Sequence, residues 1–326
     1  MFLCPNCKQS FALPRCRSCG YQAPVENNIW RLTDAPDIVT DNDRDNYIGY
    51  EHIGENYLCR KTLRLTDADY EVPKVLSEIT GDGTMLDLGC GDGQYTVPTA
   101  SFGTRLIAGD ISVKMLSLLQ RLADANHISL SNVTLARMNA LEIPLSDNSV
   151  DTVVANSMLH LISSPEKVLS EIHRVLKRGG VFVCLDDAPT NSSSLDEEEF
   201  DNSGYEVIVN FIYRRYWEMM KQHGVSPKKY SWKFDRDSAC AEIFADRTER
   251  NIAGKRNFSE ITLADHFLPR LRGRGYSDQA DVPQDIHEAV YPQAVEEARA
   301  KYGDHYMDEK LKGYLGNRIK MTLYTK

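Results

Sequence analysis

The chain has 326 residues and a formal net charge of −9 at pH 7, with 42% hydrophobic and 26% charged residues. These proportions are typical of a globular protein with one large domain and smaller additions, and the acidic balance disfavours a broad nucleic-acid-binding surface without excluding a local basic patch. No apolar stretch reaches the about 20 residues of a membrane span and the first residues do not resemble a signal peptide, so we expect a cytoplasmic protein without membrane contact.

The first 33 residues contain two Cys-x-x-Cys pairs, Cys4 with Cys7 and Cys16 with Cys19. Two such pairs on tight turns can place four thiolates tetrahedrally around a zinc ion, whereas disulfides, the alternative, are rare in a reducing compartment. Four thiolates close the coordination shell, so we expect a structural zinc site rather than a catalytic one. A segment this short needs the metal in order to fold.

The stretch from Cys19 to Leu32 resembles the small zinc ribbons that precede some bacterial methyltransferase domains. One group with such a ribbon is the large-subunit rRNA guanine-N1 methyltransferases, and that resemblance implies a module that helps to hold RNA. Ribbons also serve as packing modules, and both alternatives stay open. Residues 34–80 are predicted to form a polar linker and a helical lid, with helices over residues 47–61 and 68–79.

Residues 84–112 predict a nucleotide-type βαβ unit. An apolar strand at residues 85–88 leads into Gly89, Gly91 and Gly93, and a second strand at residues 106–109 ends in Asp110. The ligand of such a unit lies beyond the carboxyl ends of its strands. Because the third glycine comes one residue too early for the dinucleotide fingerprint, and no Gly-Lys-Ser/Thr follows, an NAD-dependent oxidoreductase and a triphosphate site are disfavoured.

The pattern Asp-x-Gly-x-Gly-x-Gly that begins at Asp87 resembles motif I of the class I S-adenosylmethionine (SAM) methyltransferases. The resemblance implies that the loop backbone passes under the methionine part of SAM, that Asp87 lies near the amino group, and that Asp110 holds both ribose hydroxyls. The chemistry agrees, because a neutral loop suits a ligand without phosphate and a carboxylate accepts two hydroxyl donors well.

The same resemblance extends to other elements of the predicted core, residues 81–188. Asn139 and Ala140 follow a strand at residues 133–137, where the family usually has Asp-Ala and the acid accepts the adenine amino group; the Asn139 carbonyl can still accept it. Residues 150–156 are predicted to form the fourth strand, which in the family faces the methyl group; Asn156 ends it and His160 follows. His160 is a candidate general base, with packing at a helix start as the alternative.

Tyr57 is a further candidate, because the segment from Tyr50 resembles the family's entry helix, where an aromatic residue often touches SAM; a core tyrosine is the alternative. The candidate cofactor-binding residues are Tyr57, Asp87, Gly89, Cys90, Gly91, Gly93, Asp110, Ile111, Met115, Asn139, Ala140 and Asn156. Five strands alternating with helices predict the fold class, an α/β protein with a doubly wound, mostly parallel Rossmann-like sheet.

Residues 189–326 are predicted to form the acceptor side and a last, antiparallel strand over residues 318–325. A helix at residues 205–223 is rich in aromatic residues interleaved with cations. It is consistent with a pocket for a small acceptor, with a surface that stacks bases, or with a buried helix that has a solvated basic face. Residues 258–277 resemble a block of the trans-aconitate-like, type 11 methyltransferases, which are associated with small-molecule acceptors.

These features lead to one favoured function and two alternatives. We expect SAM-dependent methyl transfer to a small molecule, with SAM as co-substrate and a structural zinc ion. The first alternative is an rRNA or tRNA base methyltransferase that uses the zinc ribbon for RNA contact. The second is a SAM-binding module without turnover.

Overall fold

The computed structural model describes residues 2–33, 65–156, 158–187, 203–227, 234–254, 262–265, 267–279, 281–310 and 317–326. Tyr57 and the lid helix predicted over residues 47–61 lie outside the described residues. Those expectations stay predictions.

The strands of the described ranges are β1 (Phe2–Leu3), β2 (Ser10–Phe11), β3 (Val25–Glu26), β4 (Ile29–Arg31), β5 (Thr84–Leu88), β6 (Arg105–Asp110), β7 (Val133–Arg137), β8 (Val150–Asn156), β9 (Leu176–Asp187), β10 (Asp246–Gly254) and β11 (Asn317–Thr325). The α-helices of these ranges are α1 (Glu71–Thr80), α2 (Thr96–Ala100), α3 (Val113–Ala125), α4 (Pro165–Val175), α5 (Ser203–Gln222), α6 (Arg236–Ile243), α7 (Phe267–Arg272) and α8 (Gln284–Tyr302). No helix within these ranges combines the length and the apolar character that a membrane crossing requires.

Nine strands form one sheet in the order β10-β11-β9-β8-β5-β6-β7-β4-β3, and β1 and β2 form a separate hairpin. The five central strands, β9 to β7, run parallel. Their side chains are buried nearly continuously, as in Leu86 and Leu88 of β5, because helices cover both faces of a parallel sheet. The prediction of a doubly wound, mostly parallel sheet is confirmed, and β11 pairs antiparallel with β9 as expected.

Local signals explain the boundaries of the core helices. Ser112 precedes α3, and its side-chain oxygen accepts a hydrogen bond from the Met115 amide at 3.2 Å, which satisfies one of the free amides of the first turn. Pro165 begins α4, where its missing amide costs nothing. After α4 the chain enters β9 at Leu176, directly where the helix ends.

Among the elements that were not predicted from the sequence are the helix α6 and the strand β10. Both lie between α5 and β11, and β10 pairs antiparallel with β11 at the edge of the sheet. The strand contains Arg247, Glu249 and Arg250 in close succession. Such a charged sequence lacks the apolar alternation by which a strand is recognised, and charge of this kind protects a sheet edge from pairing with another chain.

A second group of helices has a hydrophobic core of its own. We call it the helical unit: residues 203–227, 262–265, 267–279 and 281–310. Its buried residues are Tyr205, Ile208, Ile212, Tyr216, Trp217, Met219, Met220, Leu263, Phe267, Leu268, Leu271, Val282, Val290, Ala294, Ala298 and Tyr306. An ion pair between Arg215 and Glu297 joins α5 to α8.

Candidate functional site

The three glycines after β5 form a turn at the carboxyl edge of the sheet. The amides of Gly89 and Cys90 both donate to the Gly109 carbonyl of β6, at 2.7 and 3.1 Å. Gly91 has φ +54°, and a β-carbon there would meet no atom of the described residues within 4 Å. Gly93 has φ +85°, and a β-carbon there would lie 2.5 Å from Cγ of Leu119 in α3. Gly91 therefore borders open space, whereas Gly93 lies where α3 packs against the turn.

Asp110 ends β6 and its carboxylate faces this turn. One carboxylate oxygen accepts a hydrogen bond from the Gly91 amide at 2.9 Å, and the other accepts one from the Ser112 amide at 2.9 Å. A carboxylate held by the backbone at this position is a suitable acceptor for the hydroxyl donors of a ligand.

Asp87 is buried beside the turn, with 2% of its surface exposed. Thr96 of α2 donates its hydroxyl to the carboxylate at 2.5 Å. Burial, and then the negative charge of Asp110, raise the pKa of the Asp87 carboxyl to about 6. A carboxylate in such a site gains most from a cationic partner. Thr96 was not among the predicted residues, because a threonine on a five-residue helix carries no spacing signal.

Two other predicted residues near the turn are buried. Burial raises the pKa of the Cys90 thiol well above its usual range, so this thiol is not a reactive thiolate. Met115 is 2% exposed and belongs to the core face of α3. Ile111, between Asp110 and the helix, is half-buried. Cofactor contacts by these three residues stay predictions.

Asn139 and Ala140 follow β7 in a tight turn. The side-chain carbonyl of Asn139 accepts a hydrogen bond from the Leu141 amide at 2.9 Å, and its backbone carbonyl accepts one from Glu142 at 3.2 Å. The side-chain carbonyl oxygen has a second lone pair. Ala140 is buried. The parallel pairing of β6 with β7 places this turn at the same edge of the sheet as Asp110.

Asn156 and His160 lie at and after the end of β8. Asn156 pairs with Leu185 of β9 and is half-buried. His160 lies in a short 3-10 helix, Leu159–Leu161, in which Leu159 is buried and the His160 side chain is exposed. Partial desolvation lowers the pKa of His160, so the imidazole is neutral at pH 7 and able to accept a proton. Its catalytic role stays a prediction.

The four N-terminal cysteines form one cluster. Their sulfur atoms all lie within 4.8 Å of one another, with 3.5 Å between Cys4 and Cys19 and 3.7 Å between Cys7 and Cys16. All four are free cysteines. Four sulfurs at tetrahedral positions around zinc are separated by about 3.8 Å, so the donor set fits that ion. Hydrogen bonds from backbone amides, first that of Cys19, lower the pKa of Cys16 to about 6, whereas burial and the neighbouring thiols raise the pKa of Cys19.

The aromatic residues of α5 are part of the core of the helical unit. Tyr216 and Trp217 are buried, while Arg214 on the same helix is exposed. Arg215 forms an ion pair with Glu297 within the unit. Among the three alternatives for this helix, these observations favour the buried helix with a solvated basic face. The sequence continues this mixture of aromatic and basic residues after the helix, in Lys228, Lys229, Tyr230 and Lys233, which lie outside the described residues.

Residues 86–184 match a family model described as "Methyltransferase domain". A demethylmenaquinone methyltransferase of Bacillus licheniformis is 33% identical over 188 residues, which cover 54% of this chain and 75% of the relative. One of Symbiobacterium thermophilum is 36% identical over 105 residues, which cover 31% of this chain and 41% of the relative, so the chain spans less than half of that protein. A crystal structure of a putative methyltransferase from Bacillus halodurans matches with a TM-score of 0.41 and 16% identity, covering 78% of this chain and 96% of the other.

Proposed function

Because this chain belongs to the class I SAM-dependent methyltransferases, we propose that it transfers the methyl group of SAM to a small-molecule acceptor. The observation that supports the cofactor assignment is the position of the Asp110 carboxylate, which accepts a hydrogen bond from the Gly91 amide beside the open space of the glycine turn. The acceptor class is supported by relatives named demethylmenaquinone methyltransferase, whose acceptor is a small molecule.

The residues around the turn fit the parts of SAM. We infer that Asp110 accepts both ribose hydroxyls and that the buried Asp87 pairs with the ammonium group. Asn139 would accept the adenine amino group with its remaining lone pair. The space beside Gly91 would hold the methionine part, where a β-carbon would obstruct it. Tyr57 is proposed to cover the cofactor from the lid.

SAM, when bound, supplies a methyl group that its sulfonium has already activated. The protein therefore needs to orient acceptor and cofactor and to exclude water, and orientation of this kind contributes about 7–11 kcal/mol to lowering a barrier. We propose that Asn156 and His160, after β8, line the acceptor side. A neutral His160 could remove a proton from an acceptor hydroxyl.

We further propose that Cys4, Cys7, Cys16 and Cys19 bind one structural zinc ion. The support is the separation of their sulfur atoms, which suits a tetrahedral site closed by four thiolates. Metal analysis of the purified protein should find one zinc per chain, and Cys16→Ser should lower that content. A zinc-free protein with full stability would contradict this proposal.

Calorimetric titration with SAM tests the cofactor assignment. Asp110→Ala should weaken SAM binding by about 1.5–3 kcal/mol, the cost of losing charged hydrogen bonds. Asp124→Ala, an exposed aspartate at the end of α3, is the matched control and should bind SAM as the wild type does. Unchanged affinity in Asp110→Ala would refute the assignment of Asp110 to the ribose.

The acceptor is tested by following release of S-adenosylhomocysteine with a panel of small quinols and with RNA. A small acceptor predicts turnover that changes little with salt. Binding of RNA that weakens steeply with salt, followed by its methylation, would instead support the base-methyltransferase alternative.

A further inference from the structure

The cysteine-containing segment, residues 2–33, is part of the main sheet. The strand β4 pairs in parallel with β7, beginning with Ile29 opposite Leu135. The Leu32 amide extends this pairing by donating to the Arg137 carbonyl at 3.1 Å. Ile29 is 1% exposed and packs in the same buried cluster as Leu135. We call residues 2–33 the ribbon. Its second half adds β4 and β3 to the main sheet beside β7.

The first half of the ribbon contacts the chain that follows β7. We call that chain, residues 138–146, the adenine-side segment, because it begins with Met138, Asn139 and Ala140. The Leu3 amide donates to the Pro144 carbonyl at 3.0 Å, and Phe2 forms an antiparallel bridge with Leu145. The hairpin that carries the first cysteine pair is thus hydrogen-bonded to the segment.

Side chains reinforce this contact. Cys4, Cys16 and Phe11 are buried in the same hydrophobic cluster as Ala140, Leu141 and Leu145 of the adenine-side segment. Two surface contacts add to it. Lys8 Nζ lies 2.6 Å from the Glu142 carboxylate, and the hydroxyl oxygens of Ser10 and Ser146 are 3.1 Å apart. The ion pair is well exposed and contributes little, so the buried cluster carries the contact.

The adenine-side segment depends on such neighbours for its position. Of its bridges in the described residues, the one between Asn139 and Glu142 lies within its own turn, and the one at Leu145 joins it to Phe2 of the ribbon. Arg174 of α4 donates to the carbonyls of Ile143 and Leu145, at 2.8 and 2.7 Å, and holds the segment from one side. The ribbon holds it through the Leu3 amide and the buried cluster. Removing one of these supports should loosen the segment without unfolding the sheet.

The hairpin depends in turn on the cysteine cluster, since β1 and β2 have two residues each. Strands this short are not stable alone, and a metal site is the usual means of fixing them. We propose that the metal-bound ribbon is a positioning module for the adenine side of the cofactor site. Loss of the metal would free the hairpin, loosen Asn139 and Ala140, and lower the affinity for SAM. This inference rests on the proposed function.

The first experiment compares the wild type with metal-stripped protein and with Cys16→Ser. SAM affinity, measured by calorimetry, should fall about tenfold, as expected for a coupling between separate sites. Hydrogen exchange followed by mass spectrometry should become faster in β7 and in the adenine-side segment, and should stay unchanged in α1. Arg17→Ala, an exposed change in the ribbon, is the matched control and should alter neither zinc content nor SAM affinity.

The second experiment keeps the cysteines. Leu3→Pro removes the amide that donates to Pro144, and should retain full zinc content and a native circular dichroism spectrum. Its SAM affinity should be about threefold to tenfold lower, the effect of one hydrogen bond. If metal removal unfolds the whole chain, this variant still tests whether the ribbon positions the adenine-side segment.

Two results would overturn the inference: folded metal-free protein with wild-type SAM affinity and exchange, or Leu3→Pro with wild-type SAM affinity and wild-type exchange in the adenine-side segment. A wild type that binds no SAM would instead overturn the proposed function. In that case the hydrogen-exchange comparison still tests whether the ribbon positions residues 138–146, so the two failures are distinguishable.

Discussion

Polar side chains of the parallel sheet and of the helical unit differ in their surroundings: one set borders open space, and the other lies inside a packed core. At the edge of the sheet, the half-buried Asp110 accepts hydrogen bonds from the Gly91 and Ser112 amides and lies beside the open space at Gly91. In the helical unit, Tyr216 Oη and the Arg272 carbonyl lie 2.8 Å from the two ring nitrogens of His287. A carbonyl only accepts, so Nε2 carries the proton and Nδ1 accepts from Tyr216.

The difference separates a ligand site from a packing network. A polar group that borders open space can bind a ligand, whereas one that is hydrogen-bonded inside a packed core contributes to stability. Substitutions in the sheet edge should therefore change SAM binding, and those in the helical unit should change stability alone.

The largest expected effect is that of Gly93→Ala. The new methyl group would collide with Leu119 and would occupy a left-handed backbone conformation, so the free energy of unfolding should fall by about 2–4 kcal/mol. Denaturant unfolding measures this change. Gly91→Ala is the matched comparison: it meets no neighbouring atom of the described residues, and should cost only about 1–2 kcal/mol of backbone strain while abolishing SAM binding. Equal stability losses in the two variants would contradict the different roles of these glycines.

Tyr216→Phe tests the helical unit. Removing the hydroxyl leaves Nδ1 of the buried His287 without its donor, which should cost about 1–3 kcal/mol of stability. SAM affinity should not change. Val207→Ala, at an exposed position of the same helix, should alter stability by less than about 0.5 kcal/mol. Weaker SAM binding in Tyr216→Phe would show that the two regions are coupled and would break the comparison.

Asp87 predicts a pH dependence of cofactor binding. Because burial raises its pKa to about 6 and only the ionised carboxylate attracts the ammonium group, SAM affinity should rise with pH through that value. Between pH 7 and pH 5 the affinity should fall about tenfold, or about 1.4 kcal/mol. Calorimetry at several pH values measures this, and Asp87→Asn should bind weakly at all of them. A flat profile in the wild type would exclude the proposed pairing.

His287 predicts a smaller effect, on stability. Desolvation lowers its pKa in the folded state, so the unfolded chain binds the proton more readily below about pH 6.5. The stabilising contribution of the neutral imidazole is complete above that pH and is lost as the pH falls. Between pH 7.5 and pH 5.5 the wild type should therefore lose more thermal stability than His287→Gln does. Equal losses would indicate that His287 does not remain neutral.

The sequence predicted most of the sheet because its signals are local. Apolar runs identify buried strands, Ser112 and Pro165 mark helix starts, and the glycine spacing with Asp110 identifies the nucleotide-type unit. It missed β10, whose charged residues do not alternate with apolar ones. It also left open whether the aromatic helix α5 forms a binding surface or part of a core. Composition alone cannot tell these apart, since both use the same side chains.

The sequence by itself indicated the family, the mostly parallel sheet and the candidate residues at the glycine turn, because all of these depend on short-range spacing. Only the tertiary structure decided where those residues meet: that Thr96 bonds to Asp87, that Tyr216 bonds to His287, and that the ribbon continues the sheet beside β7. Such contacts join residues of different elements, and their partners are selected by the packing of those elements, which no local pattern records.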